Sequence, residues 1–114
     1  MRIFETHAHL DHPDFDGDRE TVISKCFSSG IEYIINVASN KETAFSSLEL
    51  AKKHLHIFAT VGFHPHDAMD FDAEVVKKLA REKKVLAIGE IGLDFFRNLS
   101  PFTVQREVFD NQAH

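Results

Sequence analysis

The 114-residue chain holds one cysteine, three prolines and five glycines, and each scarcity narrows what it can be. A lone thiol, Cys26, cannot close an internal disulfide, and its place in an apolar helical stretch gives it a packing role in a reducing compartment. So few breakers beside 43% hydrophobic residues predict one compact, ordered domain rather than a disordered chain. Basic charge is also short: 13 Lys and Arg face 18 Asp and Glu, a net charge of −5. Nothing here suggests the basic surface by which most nucleic-acid binders hold phosphates, so a polyanionic substrate has to be held locally, for instance by a metal ion. No run approaches the ~20 apolar residues of a membrane span. The opening Met1-Arg2-Ile3-Phe4-Glu5-Thr6-His7 does not resemble a signal peptide, and the expected location is the cytoplasm.

What is present is a regular alternation of two periods. Ile3 to Leu10 reads as a strand, with Phe4, Thr6, Ala8 and Leu10 on an apolar side and Ile3, Glu5, His7 and His9 on the other. Asp18 is placed to cap a helix through about Ser29, with Val22, Ile23, Cys26 and Phe27 on one face and Gly30 ending it. Ile31 to Ala38 is a nearly continuous apolar run, as expected of a strand buried on both faces. A helix from Lys41 to His54 follows, then a strand from His56 to Phe63, then a helix opened by Asp72 with Val75, Val76, Leu79 and Ala80 inward. The charged residues of that helix, Lys77 to Lys84, read as a solvated side. Val85 to Gly92 gives the fourth strand, and Ser100-Pro101 reads as the cap and first turn of a fourth helix towards Gln112. The order β-α-β-α-β-α-β-α predicts a parallel sheet with helical crossovers, doubly wound or closed into a barrel. No glycine-rich fingerprint follows the first strand, which leaves dinucleotide binding little support.

In either architecture the chemistry sits where the strands end, because the βα loops converge there. Polar residues at those ends are His7, His9 and Asp11, then Asn36 and Ser39, then His64 and His66, then Glu90 and Asp94. Eight histidines is a high count for this length, and five of them fall in two tight groups, His7, His9 and His12, and His64 and His66. His7 and His9, two apart on a strand, project to one face about 7 Å apart, so their imidazoles can close on one divalent ion. A His-x-His pair alone is a weak signal, more often two ordinary histidines than a metal site. Its place at a strand end, with a glutamate at the matching level of strand four, is what favours a metal. Glu90 lies in Ala87-Ile88-Gly89-Glu90-Ile91-Gly92, where an isolated carboxylate is costly unless it is metal-bound or ion-paired with Arg97 or Lys84. His64, beside the stiffening Pro65, reads as a phosphate-contacting or proton-transferring group or as loop packing. His54 and His56 precede strand three at the opposite edge and are expected to face solvent.

Three segments, Phe4-Glu5-Thr6-His7-Ala8-His9-Leu10-Asp11, Gly62-Phe63-His64-Pro65-His66 and Gly89-Glu90-Ile91-Gly92-Leu93-Asp94-Phe95-Phe96-Arg97, resemble in order and spacing the signatures of the TatD family of metal-dependent hydrolases. The resemblance implies an α/β TIM barrel of the amidohydrolase type, with one or two divalent ions (Mg, Mn or Zn) and hydrolysis of DNA phosphodiesters, often from a 3′ end. It also implies that His7 and His9 hold one metal and Glu90 bridges to a second, as ligand and catalytic group. In the complete enzyme His64 or Arg97 is expected to assist by contacting substrate phosphate. A metal-dependent amidohydrolase on a small substrate is the alternative activity, since the same barrel serves many such enzymes. A full barrel takes roughly 250 residues, so about four βα units are expected here, the N-terminal half of such a barrel. The family's later histidines and aspartate fall beyond residue 114. Exposed strand edges, self-association, and a chain incompetent in catalysis by itself are the expected consequences.

Overall fold

The computed structural model describes residues 1–114. The order is β1 (Ile3–Ala8), α1 (Arg19–Ser28), β2 (Ile31–Asn36), α2 (Lys41–Lys53), β3 (Ile57–Val61), α3 (Ala73–Leu79), β4 (Val85–Ile88) and α4 (Phe102–Ala113), with short 3-10 turns at Pro13–Phe15 and Pro65–Asp70. All neighbours in the sheet are parallel and the strand order is β1-β2-β3-β4. The result is an open α/β sheet of the partial TIM-barrel kind.

Local chemistry accounts for the helices. Asn40 and Thr43 form a reciprocal capping box at the start of α2, and Lys52 and Lys53 sit at its negative end. Asp72 caps α3 by accepting from the Val75 N–H at 3.1 Å. Gly30, at φ +102°, takes the left-handed turn that ends α1. Two expected caps are not made. Asp18 stands at the N-cap of α1 without a side-chain bond. Ser100 donates instead to the His66 carbonyl at 2.9 Å, leaving Pro101 to open α4.

The core lies on one side of the sheet. Ile34 of β2 and Ile57 and Ala59 of β3 meet Ile23 of α1 and Leu50 and Ala51 of α2. Val61 joins Leu48 of α2, Val75, Val76 and Leu79 of α3, and Val108 of α4. On the other side Phe4, Tyr33 and Leu86 are exposed, and with Thr6, Ile35 and Phe58 they line a shallow apolar cleft. β2 is thus buried on one face, not on both as its composition suggested, because the helical cores cover one face alone.

The strands end earlier than their apolar runs because the following backbone leaves the ladder for other partners. The Ala38 N–H bonds the Thr60 hydroxyl at 3.1 Å, the His64 N–H bonds the Ser39 carbonyl at 2.8 Å, and the Glu90 N–H bonds the Ala38 carbonyl at 2.6 Å. The last of these carries the chain beyond β4 across the end of β3 to β2. Gly62 permits the crossing: a Cβ there would lie 2.6 Å from the carbonyl carbon and oxygen of Gly89.

β1 departs from simple alternation. A register shift between Glu5 and Ala8 divides the predicted apolar side. Ala8 and Leu10 pack against the helical core, whereas Phe4 and Thr6 turn to the open face.

Candidate metal centre

Three spacings of about 4.8 Å would separate β1 from β4 by about 14 Å in a flat sheet. Yet His7 Nε2 lies 3.4 Å from Glu90 Oε2. Curvature of the sheet and the crossing of the chain over β3 bring these residues together at the C-terminal rim. One nitrogen from each of His7 and His9 and one oxygen of Glu90 lie within 4.8 Å of one another. The two imidazoles meet edge to face, with centroids 5.0 Å apart.

The donor set fits a divalent ion. Ligands at about 2.1 Å around a tetrahedral ion lie about 3.4 Å apart, so side-chain movements of about 1 Å complete the closure. His9 Nδ1 lies 2.9 Å from the Val37 carbonyl, which fixes Nδ1 as the protonated nitrogen and leaves Nε2 free to ligate. The Glu90 side chain is 32% exposed, so the ion would remain open to solvent on one side.

Around this cluster the loop histidines form a second tier. His64 Nδ1 accepts the His66 backbone N–H at 3.1 Å, so in the neutral ring Nε2 carries the proton; it faces Glu90 Oε1 at 3.7 Å. That tautomer makes His64 a donor beside the carboxylate. Its ring packs edge to face on His66 at 4.2 Å, and His66 Nε2 is hydrogen-bonded to Asp94. The His66 bond and the Arg97 backbone N–H hold the Asp94 carboxyl below its usual range.

The Glu90 carboxylate is paired with histidines rather than with the basic residues that were the alternative. Lys84 sits elsewhere, donating to the carbonyls of His54, Leu55 and Ile57. Arg97 is exposed on the loop after β4, and only its backbone N–H is engaged, to Asp94 Oδ1. The structure therefore brings His7, His9, Glu90 and His64 together and leaves the Arg97 side chain outside the cluster. His54 and His56 are correctly placed away from it but do not simply face solvent. His54 Nε2 lies 3.3 Å from Glu20, and His56 stacks on Tyr33 with centroids 5.1 Å apart.

Sequence reasoning missed the scaffold beneath the ligands. Fully buried Asn36 accepts the Leu10 N–H at 2.6 Å and donates to Asp11 and Ser47 at 2.7 and 2.8 Å, while Ser46 donates to the other Asp11 oxygen. These bonds pin the end of β1 to β2 and α2. Two glutamines of α4 act alike on backbone: Gln105 bonds both N–H and carbonyl of Asp94, and Gln112 both of Phe63. The polar residues at β1 and β2 ends were visible as candidates; the glutamines carried no local signal.

Comparison with known proteins agrees with this architecture. The chain is 39% identical over 113 residues to the uncharacterized metal-dependent hydrolase YabD of Bacillus subtilis, covering 96% of this chain and 44% of that one. It is 37% identical over 114 residues to the 3′-5′ ssDNA/RNA exonuclease TatD of Pantoea ananatis, with the same coverage. The crystal structure of the TatD homologue YjjV of Escherichia coli superposes with a TM-score of 0.87 at 33% identity, over 97% of this chain and 45% of that one. The chain thus spans less than half the length of the curated relatives it matches. The family model for TatD related DNase matches residues 4–114, and the chain belongs to that family of metal-dependent hydrolases.

Proposed function

We propose that this chain supplies the His7, His9 and Glu90 ligands of a divalent-metal centre in a phosphodiesterase that hydrolyses single-stranded DNA or RNA from an end. The observation that carries the reading is the convergence of those three side chains at the sheet's C-terminal rim, from strands that are not neighbours. Relatives named 3′-5′ ssDNA/RNA exonucleases supply the substrate class. A divalent ion there lowers the pKa of water and offsets charge building on phosphate oxygens, which suits a nuclease of net charge −5.

The chain's own groups have distinct parts. His7 and His9 are neutral ligands, with His9 oriented through the Val37 carbonyl. Glu90 would supply the negatively charged ligand, shared with a second ion where two are bound. His64, whose Nε2 stands 3.7 Å from Glu90 Oε1, offers its N–H as a donor to a phosphate oxygen. Arg97 reaches phosphate from the loop.

Chelator-sensitive release of nucleotides from single-stranded DNA by the full-length parent tests the proposal. His7→Ala and Glu90→Ala are each expected to abolish release, and turnover surviving both changes refutes the ligand assignment. A substrate panel separates the alternative activity: preference for an amide or carboxylic ester over DNA decides against the nuclease.

A further inference from the structure

We propose that the loop between β4 and α4 is a stacking platform for the unpaired bases of a single-stranded nucleic acid, with Phe96 as its ring and Arg97 and Arg106 as phosphate contacts. The assignment rests on the phosphodiesterase reading above and adds the surface that holds the strand. Phe96 is 97% exposed, so it makes no contribution to packing within the chain. A bulky ring wholly in water is normally carried on a mobile segment; this one stands on a fixed base. Asp94 Oδ1 accepts the backbone N–H groups of both Phe96 and Arg97 at 3.1 Å, and the Asp94 backbone is itself held at N–H and carbonyl by Gln105. The other oxygen of Asp94 is engaged by His66. The backbone that carries the ring is therefore fixed, so binding has to order only the ring's own two torsions.

A second aromatic surface lies beside it. The Phe95 and Phe102 rings pack at 4.3 Å, both half-exposed, and the Arg106 guanidinium sits 5.7 Å from the Phe102 ring. Between Asp94 and Glu107 the chain carries two arginines and no acid, so this stretch is locally neutral, ends included, within a protein of net charge −5. Aromatic faces interleaved with arginine are what a single strand needs: bases stack, and the guanidinium groups meet phosphates.

Placement joins the platform to the centre. Phe96 is six positions after Glu90, so their Cα atoms lie within about 22 Å even at full extension, a reach of a few nucleotides. The contacts from Glu90 through His64 and His66 to Asp94 fix the two together. Stacking is indifferent to base identity and to the sugar, so such a surface accepts deoxyribose and ribose strands alike.

The test uses the 114-residue chain and a single-stranded oligonucleotide carrying 2-aminopurine, in excess chelator so that nothing is cleaved. The chain is expected to quench 2-aminopurine on binding. Phe96→Ala is expected to weaken binding about tenfold and remove the quenching, with Phe96→Trp restoring both. An abasic oligonucleotide should bind the unaltered chain as weakly as the normal one binds Phe96→Ala, and Arg97→Ala should lower the salt dependence. Equal affinity of the unaltered chain and Phe96→Ala for the normal strand, equal affinity for normal and abasic strands, or no binding at all overturns the platform. So does a Phe96→Ala change that alters only self-association, which would assign the ring to a second copy of the chain. Since no hydrolysis is read, failure here leaves metal-dependent nucleotide release standing, and loss of that release leaves the binding result standing.

Discussion

Gly62→Ala tests the geometry of the centre without touching a ligand. The added methyl would lie 2.6 Å from the Gly89 carbonyl carbon and oxygen and 2.9 Å from its Cα, where ordinary contact begins at 3.4 Å. Both sides are backbone, so the Gly89 peptide must retreat by about 0.8 Å, against the bonds it makes to the Thr60 hydroxyl and the Val61 carbonyl. Overpacking of this kind costs about 1–3 kcal/mol of stability. Glu90 is the next residue, and its carboxylate stands 3.4 Å from His7, so a shift of this size disturbs the ligand set. Affinity for manganese or zinc is expected to fall about 10–100-fold, the range seen when supporting groups of a metal site are lost. Isothermal titration of the folded variant, beside thermal melts, measures both effects. Gly17→Ala, where nothing lies within 4 Å, is the control and should leave affinity unchanged. A Gly62→Ala protein binding metal within threefold of the unaltered chain would refute the link between the crossing and the centre.

Further outcomes follow from the polar scaffold. Asn36→Ala leaves the buried Leu10 N–H and one Asp11 oxygen short of partners and is expected to destabilise by about 1–3 kcal/mol in urea unfolding; a neutral result would show the network to be dispensable. Gln112→Leu removes both bonds to Phe63 and should cost about the same, with an unchanged denaturation midpoint as the contrary result. Asp72 is held below its usual range by the Val75 N–H and Lys41, so between its folded and ordinary values the unfolded chain binds more protons. Its contribution is present above the unfolded value of 3.8 and is lost as pH falls through the lower, folded value. Acid unfolding of Asp72→Asn should show a shallower pH slope there, and an identical slope argues against the cap.

Much of the fold was legible because period and punctuation agree. Gly30 ends α1, Asp72 caps α3, and of the stripe Ala44, Phe45, Leu48 and Ala51 all but Phe45, which is exposed, face the core. The His7, His9 and Glu90 grouping followed from strand-end position and the family pattern, and the structure brings those side chains together. What escaped was geometry without a periodic trace. The bulge in β1 reverses which side Phe4 and Thr6 occupy relative to Ala8, and no count of alternating residues reveals an extra step. Strand ends were placed too late because apolar residues continue past the last ladder bond into loops that bond across strands. Ser100 and Asp18 have the chemistry of caps, but Ser100 found a stronger tertiary claim on its hydroxyl. Glutamines that embrace a distant backbone segment look in sequence like any polar helix residues.

His7 and Glu90 stand near opposite ends of the chain, on the first strand and just past the last. An ion gripping both would act as a removable staple closing a loop that contains three of the four crossover helices. Such a clasp exists only once every strand has docked, so the ion would bind the finished sheet and ignore its precursors. Saturation at a hundred times the dissociation constant would then deepen the native well by about 2.7 kcal/mol. Metal supply would then govern how long this chain survives heat and proteases.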